Sequence, residues 1–215
     1  MPPEERFVPR FFAEPPREAL PYGRWAQRLD QALGDALAEL DDAPADLGRP
    51  GETVWYPDRG WHGRTYVPFT APTDGGYELF GHVRFIAPGD AGEEPSDFYA
   101  EVDFTDQTAR ENPQWRIDVC DAVIGSWRGH GGALAAITLV WGRPLVASGA
   151  IVTAELAGLA VDQCELLEDR FTLIAPDDYR HDLLEIRLWD RGGRELAAES
   201  LYEGEDGEDE ADADG

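Results

Sequence analysis

Tyr77-Glu78-Leu79-Phe80-Gly81-His82-Val83-Arg84-Phe85 alternates with a period of two. Tyr77, Leu79, Gly81, Val83 and Phe85 share one face, and Glu78, Phe80, His82 and Arg84 share the other. Successive side chains of a strand point to opposite faces, so the pattern predicts a half-buried strand with its polar face in solvent, Phe80 excepted. On this reading His82 is a solvated side chain beside Glu78 and Arg84. The same period recurs in Phe98–Phe104, where Phe98, Ala100, Val102 and Phe104 oppose Tyr99, Glu101 and Asp103. It recurs again in Leu184–Trp189, where Leu184, Ile186 and Leu188 oppose Glu185 and Arg187. Residues 133–141 are apolar except for Thr138 and end in Trp141, which predicts a strand buried on both faces.

Turn signals separate these runs: Asp74-Gly75-Gly76, Pro88-Gly89-Asp90 and Gly129-His130-Gly131-Gly132. Arg191-Gly192-Gly193 reads as a hairpin tip that sets Leu184–Trp189 against Arg194–Tyr202. Leu156–Glu168 fits helix or strand. About nine or ten strands at this spacing predict a mainly β domain over 52–202, an antiparallel sandwich of jelly-roll-like type. Ahead of it, Trp25, Leu29, Leu33, Leu37 and Leu40 fall on one helical face and predict a helix over 24–41, ended by Asp41-Asp42-Ala43-Pro44. A linker follows to residue 51. Residues 1–22 carry six prolines and read as an extended arm whose Phe7, Phe11 and Phe12 pack on the body or, less commonly, on a partner. Residues 203–215 are Glu, Asp, Gly and Ala only and predict a disordered acidic tail.

Within Val67-Pro68-Phe69-Thr70-Ala71-Pro72-Thr73-Asp74-Gly75-Gly76-Tyr77-Glu78-Leu79, the order Ala71-Pro72, Gly75, Tyr77, Leu79 resembles the A-P-x-x-G-x-Y-x-L stretch of jelly-roll modules of the galactose-binding type. The resemblance covers 13 of 215 residues and implies a sandwich. Such modules are usually secreted. Here Met1–Arg17 is rich in Pro, Glu and Arg and has no apolar stretch like that of a secretory signal.

A hydrophobic fraction of 42% and a charged fraction of 29% describe a globular body. No apolar run approaches the roughly 18 residues that would span a bilayer. The expected compartment is the cytoplasm, or the virion if the protein is viral. Cys120 and Cys164 have no metal-ligand spacing and are expected as buried thiols. The net charge is −26, and the tail holds eight of the acids, which leaves −18 elsewhere. All 18 basic residues are Arg. An acid-rich, lysine-free chain is expected of a salt-accumulating halophile, where high salt screens the repulsion, the competing reading being a GC-rich genome that favours Arg codons, with an acidic tail. It argues against duplex nucleic acid and anionic membranes as partners, since both need a basic surface.

The densest candidate for chemistry is Trp55-Tyr56-Pro57-Asp58-Arg59-Gly60-Trp61-His62-Gly63-Arg64-Thr65-Tyr66, read as a loop. Trp55, Tyr56, Arg59, Trp61, His62, Arg64 and Tyr66 combine flat aromatic area with polar handles, the composition of binding hot spots. The competing reading makes the rings caps on the core and pairs the arginines with surface carboxylates. His62, His82, His130 and His181 show no metal-ligand spacing, although His62, His82 and His130 could converge in the fold. Asp118 and Asp121 flank Cys120 and disfavour its thiolate. Ser126 lacks the G-x-S-x-G elbow, and no phosphate-cradling or dinucleotide-binding glycine motif is present.

These readings favour a non-catalytic binding or assembly protein that engages a partner protein or its own copy rather than a small molecule. The alternative is a small-molecule enzyme of barrel or cupin type that uses the loop histidines. No catalytic residue, metal ligand or cofactor is assigned.

Overall fold

A computed structural model describes residues 23–40, 43–88, 94–128, 132–179 and 181–202. The arm at 1–22, the tail at 203–215, Asp41-Asp42, Gly89-Asp90 and His130 lie outside the described residues. The leucine spacing folds as a 3-10 turn at Gly23–Trp25 leading into α1, Ala26–Ala38. Trp25, Leu29 and Leu33 are its buried side. The Glu39 N–H closes the last turn on the Ala36 carbonyl at 3.1 Å, so the helix stops ahead of the acidic pair. No helix among the described residues is long and apolar enough to cross a membrane.

Beyond residue 52 the chain is strand: β1 Val54–Trp55, β2 Arg59–Trp61, β3 Arg64–Pro72, β4 Glu78–Ile86, β5 Ser96–Thr105 and β6 Ile117–Arg128. There follow β7 Leu134–Pro144, β8 Ile151–Leu156, β9 Leu159–Glu165, β10 Phe171–Asp177, β11 Leu184–Trp189 and β12 Glu195–Ser200. These are more strands than expected, because two segments each hide a tight hairpin. His62 and Gly63 turn β2 into β3 with φ of 51° and 78°, and Ala157 and Gly158 turn β8 into β9 with φ of 53° and 72°. Positive φ at both central residues is type I′ geometry, whose twist matches that of the flanking strands. His-Gly and Ala-Gly are not the Asn-Gly or Asp-Gly pairs that announce such a turn. Trp55–Tyr66 is therefore largely strand rather than the expected loop, and Leu156–Glu168 resolves as strand. The Arg191-Gly192-Gly193 tip joins β11 to β12 as expected.

Among the described residues all strand pairs are antiparallel and form three open sheets. The first runs β1-β3-β4-β5 with β2 on β3, the second β10-β7-β6, and the third β12-β11-β8-β9. Val67, Phe69, Val83, Phe85 and Ala100 of the first sheet pack under Trp25, Leu29 and Leu33. Its opposite face contributes Tyr66 and Phe80 to a second cluster with Ile137, Leu139, Trp141 and Ile174. The second sheet is also covered twice. Val140, Phe171 and Leu173 join Val152, Ala154, Leu184, Ile186 and Leu188 of the third sheet in the largest cluster. This double cover explains the unbroken apolar run of β7.

It also corrects the reading of β4. Its Glu78–Arg84 face is covered by the second sheet, so His82 is 1% exposed rather than solvated. Periodicity within a strand sorts residues between two faces; it does not say that either face meets water.

Candidate functional site

Burial divides the Trp55–Tyr66 segment. Trp55, Tyr56, Arg59 and Tyr66 lie in the core. Trp55 meets Phe69 edge-on at 5.6 Å, and its carbonyl accepts a hydrogen bond from Arg170 Nη1 at 2.9 Å. Tyr56 lies 3.4 Å from Thr70 Oγ1, and burial pushes its phenol well above the ordinary range. Tyr66 packs on the His82 ring at 5.5 Å. Arg59 donates to Asp162 of β9, and both side chains are only 5% exposed. Asp162 also accepts the N–H groups of Ile174 and Gln163, at 2.9 Å each. Burial raises its carboxyl above the usual range, against the lowering pull of Arg59.

The remaining three residues sit at the outer end of the β2–β3 hairpin. His62 is exposed at the tip, its ring tilted by 38° against that of Trp61 with centroids 5.5 Å apart. Trp61 lies across Gly125 of β6; a Cβ there would come within 2.6 Å of the indole ring. Arg64 pairs with Asp97 at 2.7 Å. The structure thus gives the rings of this segment mostly to the core, and both of its arginines already hold carboxylates.

A different place gathers unspent polar groups. A cleft of about 450 Å³ opens between the C-terminal end of α1 and strands β4 to β7. Its aromatic walls are Phe80, Tyr99 and Trp141. Among the described residues its charged lining is Glu39, Glu101, Asp103 and Asp121, all acidic, and no arginine lines it. Burial raises the Asp121 carboxyl, with Asp177 adding to the effect. The negative end of the α1 dipole falls beside Glu39 and reinforces the sign.

Two of the wall residues carry buried polar atoms without hydrogen-bond partners. They are His82 Nδ1 and Trp141 Nε1, in side chains 1% and 0% exposed. The other imidazole nitrogen, Nε2, stands 4.0 Å from Glu101 Oε2, too far for a hydrogen bond. Burial, helped by the Arg84 charge, lowers the His82 pKa to about 4. The ring is therefore neutral near pH 7, with one nitrogen that donates and one that accepts. A buried polar group left unpaired costs about 1–3 kcal/mol, so two in one wall call for an explanation.

The described histidines do not converge: His82 lines the cleft, His62 caps a hairpin, and His130 lies outside the described residues. No group of three or more His, Cys, Asp or Glu side chains placed for a metal ion occurs among the described residues. Cys120 and Cys164 are free thiols. Burial, with Asp118 next in weight, lifts the Cys120 pKa, and burial lifts that of Cys164 to about 11, so neither is a thiolate near pH 7.

The sequence contained two traces of the cleft. Phe80 is the one apolar residue among Glu78, Phe80, His82 and Arg84 on the polar face of β4, and Glu101 and Asp103 share the polar face of β5 with Tyr99. Strand pairing places Glu101 opposite His82 and Asp103 opposite Phe80. Comparisons of the chain with protein-family models, with curated proteins and with solved structures return no match.

Proposed function

We propose that this protein is a non-catalytic binding protein whose ligand seat is the acidic, aromatic cleft beside α1. The pair of buried, unpartnered atoms on His82 and Trp141 carries the reading. A ligand whose polar groups reach these two lining residues recovers the cost of both. The volume falls in the range of about 300–1,000 Å³ typical of small-molecule pockets, which favours a small ligand over the partner protein expected from sequence. His82 suits binding better than proton transfer, because a general base works best with a pKa near the operating pH. If a second copy or a partner protein also engages the chain, the outer end of the β2–β3 hairpin, with Trp61, His62 and Arg64, is the part of the aromatic segment it can reach. The stacked antiparallel sheets support a sandwich reading of the fold, jelly-roll-like in class. The acid-rich, lysine-free composition supports a salt-adapted protein.

A thermal-shift screen of cationic, neutral and anionic small molecules tests the function. The expected result is at least one compound that raises Tm in the native protein and not in a Tyr99→Ala, Glu101→Gln variant. If no compound of any class does so, the cleft is not a binding seat.

A further inference from the structure

We infer that the cleft takes a small organic cation that also carries a hydroxyl or equivalent polar group. The inference rests on the cleft being the binding seat and adds the chemistry of its occupant. The first argument is sign. Glu39, Glu101, Asp103 and Asp121 come from three separate parts of the chain and converge on one cleft, with no arginine in its lining among the described residues. An anion there meets four like charges and the negative end of α1. A bare metal ion is the wrong cation, because these carboxylates do not group as a ligand set.

The second argument is the wall. Phe80, half-buried, and Tyr99, exposed, offer π-systems, whose faces attract organic cations. Tyr99 already does so within the protein: the Arg84 guanidinium lies 4.7 Å from its ring centroid.

The third argument is the pair of unpartnered polar atoms on two lining residues. The Trp141 N–H is a donor without an acceptor, and neutral His82 has one donor and one acceptor nitrogen, with Nδ1 unpartnered. A hydroxyl both accepts and donates, so its hydrogen-bond character matches either the indole or the imidazole. Acidic lining residues beside unpartnered polar atoms describe a hydroxyalkyl ammonium compound better than a bare amine or a neutral polyol.

Isothermal titration calorimetry at constant ionic strength tests this with four probes. Choline and ethanolamine are hydroxyalkyl cations, 3,3-dimethyl-1-butanol is the uncharged isostere of choline, and acetate is an anion. At least one of the two cations is expected to bind about tenfold or more tighter than the isostere. A Glu101→Gln, Asp103→Asn variant, changed only at exposed positions, is expected to lose about tenfold in affinity for that cation with Tm retained. Equal binding of the isostere, tighter binding of acetate, or cation binding unchanged in the variant overturns the cation inference; in the first two cases the cleft still stands as a binding seat. Failure of all four probes, together with a screen that finds no other ligand, overturns both.

Discussion

Arg59 of β2 and Asp162 of β9, 103 residues apart in sequence, form a buried ion pair that ties the first sheet to the third. Removing one partner of a buried pair leaves the other charge uncompensated. Arg59→Ala is therefore expected to cost about 3–5 kcal/mol in urea unfolding. Arg64→Ala, which breaks the more exposed pair with Asp97, is expected to cost less than about 1 kcal/mol. Equal effects of the two would show that Arg59 is not structural.

His82 makes stability depend on pH in a known direction. Its folded pKa of about 4 lies below the ordinary 6.5, so the unfolded chain takes up the proton first as pH falls. The stabilisation is complete above pH 6.5 and is lost between there and pH 4, by up to about 3 kcal/mol. Glu78, Asp121 and Asp162, whose carboxyls are raised by burial, act with the opposite sign. The measurement is thus the difference between the native protein and His82→Gln, unfolded in urea at neutral pH and near pH 4.5. The two proteins should converge in stability as pH falls; a constant difference across that range contradicts the assignment.

Salt should stabilise the fold. The chain outside its tail carries a net −18, and folding brings those like charges together. Tm is expected to rise from low to molar NaCl, and equally in KCl, since screening does not distinguish the two cations. A flat response would place the stabilising interactions elsewhere.

Truncation should show a sharp boundary at Tyr202. Its hydroxyl donates to Asp177 Oδ2 at 2.6 Å, and Asp177 is 1% exposed while also accepting the N–H of Leu184 at 3.0 Å. Ending the chain after Tyr202 removes only Glu, Asp, Gly and Ala and should leave Tm within a degree or two at high salt. Ending it before Tyr202 deprives a buried carboxylate of a donor and is expected to cost about 1.5–3 kcal/mol. A fold lost in the longer truncate would mean that the tail itself is structural.

The sequence by itself determined what depends on neighbours along the chain. Leucines at helical spacing gave α1, and alternation gave β4, β5 and β11, because side-chain direction in a helix or a strand is fixed by the local backbone. The double burial of β7 was legible for the same reason, since neither of its faces is polar. The tight His62-Gly63 and Ala157-Gly158 turns were not, because positive φ there is imposed by the pairing strands rather than announced by Asn or Asp. Tertiary structure alone decided what covers each face. It turned His82 from a surface residue into a buried one, and it placed Arg59 opposite a carboxylate more than a hundred positions away. It also gathered Glu39, His82, Glu101, Asp121 and Trp141 from five elements into one cleft. No local pattern encodes that gathering, because it follows from how the helix and the sheets stack, and stacking is set by the shapes and burial of whole faces rather than by any short run of residues.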